Sequence, residues 1–564
     1  MYYSIKIMLI FRKIMYNTVS CSFVRRCLMK GMIVAPQPQA VEGGVHVLKA
    51  GGNAVDAAVV TAFLQGVVSP LSCGVGGFGQ MLVCMDGEKK VIDFHAKAGS
   101  KATPDMWNDI VQAERRDDMV YMLEGDVNEI GYQSIMVPGT VLGLHEALTR
   151  YGTLSWEEAL QPAIRLASEG WMVTRVLGRP AVPPIRVGSL DKLAYSPDGR
   201  RIYLRNGTLY KAGEFIVNKD LAETMTMIAE GGPDFFYKGE LAEKMIDDID
   251  RNGGFLTLKD LNAYRVNIYE PFTTTYRGYT VASIDFPGGG LTNLELLNIL
   301  EGYNLNEYDW FGMGSNIAEY IHLLSMAMRA AEADRVTYGA DPAFVNVPRE
   351  LFISKVNAAK WRKRINSGER IIVPKWQPEE SSSTTHLNVM DKDGNAVSLT
   401  HTLASGSGAI TPGLGFIYNN SMQKCTPFPG LPNSIAPGKS RLTQMSPTIV
   451  FDNDEPYMVL GAPGGGKICS AIVQTIINVI DHSMSIFEAV AAPRIHCLHT
   501  DIIDVSARIP NYICRELEQM GEVIMKHPAS YGPFGTVHAI HVDKMRDRLC
   551  GGSDPRSGGC VLSE

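Results

Sequence analysis

Residues Ser381-Ser382-Ser383-Thr384-Thr385-His386-Leu387-Asn388-Val389-Met390 run three small hydroxyl residues into a threonine pair and then into alternating polarity. Asp393-Gly394-Asn395 turns the chain into a second alternating run, Ala396-Val397-Ser398-Leu399-Thr400. Period-two polarity on both sides of a glycine turn predicts a β-hairpin. Two readings of that hairpin stand side by side. In one, the threonines are ordinary strand formers with structural hydroxyls. In the other, the chain is cut before Thr384, which leaves a single residue carrying a hydroxyl nucleophile and an α-amine to act as its base.

What surrounds the hairpin bears on the choice. Residues 339 to 383 contain Pro342, Pro348 and Pro374, the basic cluster Lys360-Trp361-Arg362-Lys363-Arg364, and Glu379-Glu380 before the serines. Such polar, proline-punctuated sequence predicts an irregular surface segment, where a cut would dismantle no core. Before it, helical periodicity is expected over Val141 to Arg150, Ser155 to Ser168, Lys219 to Glu230, Lys238 to Asp250, Thr292 to Leu300 and Ile317 to Arg335. An Ala-rich helix is predicted from Val55 to Val68, opened by Asn53, and two antiparallel strands meet at the Asp86-Gly87 turn. After Thr384, alternation recurs at Phe416-Asn419, Thr448-Phe451, Tyr457-Leu460 and Val537-Val542, with an apolar helix at Ile468 to Val479. Sheet with helices on its faces predicts a layered α/β fold of the antiparallel, α+β sort.

A chain of 564 residues with 45% hydrophobic and 20% charged residues buries a large core, which excludes disorder as its main state. Lys plus Arg number 53 against 60 acidic residues, so no bulk positive field favours nucleic acid. Ten cysteines without a CxxC pair or a cysteine-histidine cluster disfavour a disulfide framework and structural zinc. The Gly74 to Gly79 run lacks the trailing Lys-Ser/Thr of a phosphate loop, and nothing calls for a metal or organic cofactor. The first 30 residues read as a cationic leader or loose extension. Their apolar run, Ile7 to Phe11, is too short to span a bilayer, so stable membrane insertion is not expected. The compartment stays open, with the cytoplasm favoured over the periplasm or secretion.

An N-terminal threonine nucleophile needs its amine released, a second group holding its hydroxyl, and donors for the oxyanion. Thr402, on the returning strand, could reach Thr384 or simply satisfy a backbone group. Gly461-Ala462-Pro463-Gly464-Gly465-Gly466-Lys467 lies between a strand and a helix, where successive glycine amides converge on an anion.

These residues sit in a wider pattern. Gly51-Gly52-Asn53-Ala54-Val55-Asp56-Ala57-Ala58, Gly76-Gly77-Phe78, Pro138-Gly139-Thr140, Tyr264, Ala333-Asp334-Arg335, Met445-Ser446-Pro447-Thr448, Ala492-Pro493-Arg494 and Asp554-Pro555-Arg556 together resemble the γ-glutamyltransferase family. These are self-cleaving N-terminal-nucleophile amidohydrolases that include glutathione hydrolases, cephalosporin acylases and oxamate amidohydrolase. The resemblance implies a four-layer αββα sandwich with an extra helical region, and a precursor that cuts itself between Ser383 and Thr384. Residues 31-383 would form a large subunit and 384-564 a small one, intertwined as a heterodimer, with a heterotetramer as the further alternative. Thr384 would attack a small-molecule amide, Thr402 would hold and activate it, and the Gly464 and Gly465 amides would hold the oxyanion.

On the substrate side the resemblance implies His95, Asn420, Lys424, Thr443 and Gln444 as binding residues, and there the sequence departs from the pattern. Asp93-Phe94-His95 carries histidine where an arginine is expected, and Lys424 stands where an acid would hold an α-amine. Ala404 replaces an asparagine, and Thr443-Gln444 replaces a serine pair. A substrate ammonium facing Lys424 would be repelled. His95, Lys424 and Arg494 would favour an acyl group with a carboxylate and no α-amine, such as a glutaryl-type or oxamic amide. The alternatives are a packed His95, a solvent-exposed Lys424 and a true γ-glutamyl substrate.

Overall fold

The computed structural model describes residues 30–114, 121–174, 187–308, 310, 314, 316–373, 384–497, 502–530 and 532–564. The leader before residue 30 and Ser383 therefore lie outside the described residues. The principal strands are β1 (Met32–Ala35), β2 (Phe78–Met85), β3 (Glu88–Phe94), β4 (Asn267–Tyr269), β5 (Phe272–Tyr276), β6 (Tyr279–Ser283), β7 (Thr384–Met390), β8 (Ala396–Thr402), β9 (Thr448–Asp452), β10 (Glu455–Gly461), β11 (His538–Asp543), β12 (Arg548–Ser553) and β13 (Cys560–Ser563). One sheet runs β4-β3-β2-β8-β7-β1-β13 and the other β5-β6-β9-β10-β11-β12, antiparallel throughout.

Period-two alternation sends successive side chains to opposite faces. Leu387 and Val389 of β7 join Val397 and Leu399 of β8 in a core shared with the helices on the outer face of the first sheet. Met390, Ala396, Leu82 and Cys84 point the other way and meet Ile449, Val459 and Ile540 of the second sheet. Val450, Met458 and Leu460 in turn face a third core with helices on the outer face of that sheet. Three apolar cores between four layers make the expected αββα sandwich.

The outer layer on the first sheet is built from α1 (Pro38–Lys49), α2 (Ala54–Val68), α3 (Thr140–Tyr151), α4 (Trp156–Glu169), α5 (Lys219–Lys238) and α6 (Glu240–Arg251). Asn53 caps α2, accepting from the backbone of Val55 and Asp56, while the Asp56 carboxylate returns a bond to the Asn53 amide. Such a cap contributes about 1 kcal/mol. The second sheet is covered by α7 (Gly290–Leu300), α8 (Ile317–Tyr338), α9 (Lys355–Asn366) and α10 (Ile468–Ile480).

Two expectations are corrected. The segment from 339 onward is not irregular throughout, because Arg349–Ile353 and α9 are helical and the basic cluster lies on α9. Only Ala358 and Trp361 of that helix are buried, too few to write an apolar period into the sequence. Phe416-Asn419 is no strand. Its alternation comes from a loop buried on both sides, where the Ser407 amide donates to Tyr418 and the Asn419 amide to Gly76.

Candidate active site

The register of the first sheet places Thr384 directly opposite Thr402. Thr402 is opposite Phe78 on the next strand. Gly79 pairs with Phe94, so the same register brings His95 beside Phe78, and their rings pack at a tilt of 38° with centroids 4.7 Å apart. Directly opposed residues share a face, so Thr384, Thr402, Phe78 and His95 form one row at the end of the sheet, facing the second sheet. The Thr384 hydroxyl donates to Thr402 Oγ1 at 3.3 Å, and the Ala404 amide donates to the same oxygen at 2.8 Å. Ala404 achieves this with φ of 62°, a left-handed conformation natural to asparagine. The backbone form of the expected asparagine survives without its side chain.

Beneath the first row lies a second: His386, Thr400, Gln80 and Asp93. His386 Nε2 donates to Asn388 Oδ1 at 3.0 Å, which leaves Nδ1 to accept from Thr400 at 2.9 Å. Burial lowers His386 and His401 to about 3 and His538 to about 4, and pushes Asp93 up to about 7. The histidines ordinarily titrate at 6.5, so their unfolded forms take up protons first as pH falls. Stability is therefore fully present above pH 6.5 and drains away below it, until the folded histidines protonate near pH 3 to 4. Each imidazole contributes about 1.4 kcal/mol per pH unit in that window, and Asp93, whose carboxyl is raised, offsets the loss from one of them. The urea midpoint is expected to be lower at pH 5 than at pH 7.5, because the three imidazoles outweigh Asp93, and equal midpoints would contradict the buried neutral imidazoles.

The proposed oxyanion loop leaves β10 at Gly461, where a Cβ would fall 2.2 Å from the His386 ring, so the loop begins under the nucleophile strand. Gly464 has φ of 150°. The Thr536 amide ties the loop down by donating to Pro463, and Gly535 is held in turn by Arg494, which donates to its carbonyl at 2.6 Å. Arg494 also pairs with Asp554 at 2.5 Å. Arg494 is held in this buried clamp, where Arg556 shares the same carboxylate.

The other expected binding residues form two short segments. Asn420 accepts from the Ser405 amide at 2.8 Å and donates to the Glu129 carbonyl and Ser405 Oγ, so it braces the turn after Thr402. Lys424 is not solvent-exposed but buried, in the turn Ser421–Lys424. Thr443 is threaded between the Pro287 carbonyl, to which its amide donates, and Arg335, which donates to its own carbonyl. Gln444 lies against Gly289 and Cys469, which donates to the Gln444 carbonyl at 3.8 Å.

Sequence reasoning missed Arg441. Its guanidinium lies 5.5 Å from the Phe78 ring centre and donates to Ser421 Oγ at 3.1 Å, fully buried. The signal available was one cation in the otherwise uncharged run from Ser440 to Phe451. His95 lacks the charge expected of it: burial, aided by Arg441, depresses it to about 3. Among the described residues no group of three or more His, Cys, Asp or Glu side chains is placed to hold a metal, and no helix is long and apolar enough to cross a membrane.

With this geometry in view, known proteins give a consistent match. The family model described as gamma-glutamyltranspeptidase matches residues 40–563. A glutathione hydrolase proenzyme of Pseudomonas sp. (strain A14) is 38% identical over 83% of this chain and 81% of its own length. The acylase ACY 1 proenzyme of Pseudomonas sp. (strain V22) is 36% identical over 90% of this chain and 89% of its own. The crystal structure of cephalosporin acylase from Bacillus halodurans superposes with a TM-score of 0.81 at 29% identity, covering 95% of this chain and 96% of that one. The threonine row, the αββα layers and these likenesses agree, and the chain belongs to the gamma-glutamyltranspeptidase family.

Proposed function

We propose that this enzyme is an amidohydrolase that matures by cutting itself before Thr384 and then works through a Thr384-acyl intermediate. In the uncut chain the Thr384 nitrogen is an amide and cannot accept a proton; cleavage turns it into an amine on the same residue as the hydroxyl. That hydroxyl attacks the substrate carbonyl while the amine takes its proton. The oxyanion forms against the Gly464 and Gly465 amides, and the amine passes the proton to the departing nitrogen. Water then attacks the ester on Thr384, and the acid leaves with the hydroxyl restored. The observation that carries this reading is the 3.3 Å contact between the Thr384 and Thr402 hydroxyls on paired strands. Thr402, oriented by the Ala404 amide, holds the nucleophile in line.

Its relatives are called glutathione hydrolases and acylases, and both kinds of amide fit the chemistry. The buried Arg441 beside Phe78 favours an acyl group ending in an anion, glutaryl-type or γ-glutamyl, with transfer to amines weaker than hydrolysis. The two fragments remain together as a heterodimer, which can pair again. Intact mass after maturation should give two polypeptides, the second beginning at Thr384. A panel of glutaryl, γ-glutamyl and oxamic amides then ranks the acyl groups. A persistently single chain that still turns over any of them would refute the proposal.

A further inference from the structure

His95 is 3% exposed, and its Nδ1 faces the Ala96 carbonyl at 3.1 Å. A carbonyl only accepts, so the proton sits on Nδ1 and Nε2 keeps its lone pair. That Nε2 is buried and has no hydrogen-bond partner among the described residues. A buried acceptor left unmet costs free energy, and in a binding site the occupant commonly supplies the missing donor. The backbone is fixed as well, since the His95 amide donates to Asp93 Oδ1 and its carbonyl accepts from Tyr264. The ring cannot readily swing away from the row it shares with the nucleophile.

Three strand spacings separate Thr384 from His95, roughly 14 Å between backbones. An acyl chain of four or five carbons reaches further along that row toward His95 than a two-carbon acyl group does. Arg441 flanks the same Phe78 ring and bears electrostatically on His95. A cationic donor placed at Nε2 would meet that guanidinium, and an uncharged one would not.

Resting on the reading of Thr384 as nucleophile, we infer that His95 Nε2 accepts from an uncharged hydroxyl or amide N–H near the far end of a glutaryl-length acyl group. His95 is thus a specificity-determining acceptor and not a cation for a carboxylate.

The test uses the processed protein and three free diacids of equal length, glutarate, 2-hydroxyglutarate and glutamate, with binding read by calorimetry and turnover of the matching amides read separately. The hydroxy acid is expected to bind about 10- to 100-fold tighter than glutarate, with glutamate gaining little. The preference is expected to collapse in His95→Phe, which keeps an aromatic ring against Phe78, and to return partly in His95→Gln, which restores an acceptor. Equal binding of glutarate and 2-hydroxyglutarate by the unaltered protein would overturn the inference, without need of any variant. So would glutamate binding tightest, or a preference that survives in His95→Phe. A hydroxyl preference in binding with no amide turnover would uphold the acceptor and refute the Thr384 mechanism instead.

Discussion

Thr384→Ala is expected to remain a single 61.8 kDa chain and to hydrolyse amides at least about 10^4-fold more slowly than the processed enzyme. Both losses have one cause. In the proposed mechanism the hydroxyl that opens the substrate amide is also the one that attacks the peptide bond before it, and alanine removes it without disturbing the pairing of β7 with β8. A small residual rate over water would remain, because the oxyanion donors and binding groups are untouched. Thr384→Ser keeps the hydroxyl and should recover cleavage and part of the turnover. Denaturing electrophoresis and initial rates check both variants; a cleaved, active Thr384→Ala would remove the basis of the mechanism.

Gly464→Ala is expected to fold and yet lose 10^2- to 10^3-fold in kcat, about 3 kcal/mol of transition-state stabilisation. A φ of 150° is strained for alanine, and its Cβ would sit 2.5 Å from Gly535 Cα, a backbone atom that cannot rotate aside. Relief requires the loop to shift, carrying the Gly464 and Gly465 amides off the position proposed for the oxyanion. Gly394→Ala provides the control. That glycine also has positive φ, 84°, but nothing lies within 4 Å of its missing side chain, so about 1 kcal/mol of stability is lost and kcat is kept. If the two variants behaved alike, the loop would have no part in the chemistry.

Much of this arrangement can be read from local sequence. The hairpin from Thr384 to Thr402 writes its own register, because alternation and an Asp-Gly turn agree on it. The α2 cap is equally local, since Asn53 and Asp56 carry the whole motif. The lone charge of Arg441 is visible that way, but its place beside Phe78 and the neutral state of His95 are not. Both residues pack against Phe78, which is far from Arg441 in the chain and reaches it only through the fold. The helix α9 escaped notice for a different reason: it docks through the short stripe of Ala358, Trp361 and Ile365, with the Trp361 indole donating to Asp334, too little apolar surface to stand out among its charged residues.

The order of strands in the first sheet has a consequence for inheritance of the two halves. Once the bond before Thr384 opens, β7 and β8 of one piece stay flanked by β2 and β1 of the other, and β1 is itself gripped on its far edge by β13. Neither piece can slide out without unzipping hydrogen-bonded ladders on both sides. Partners born from one precursor are thus bound for life: dilution should not silence the enzyme, and mixing two labelled populations should yield no hybrids short of denaturation.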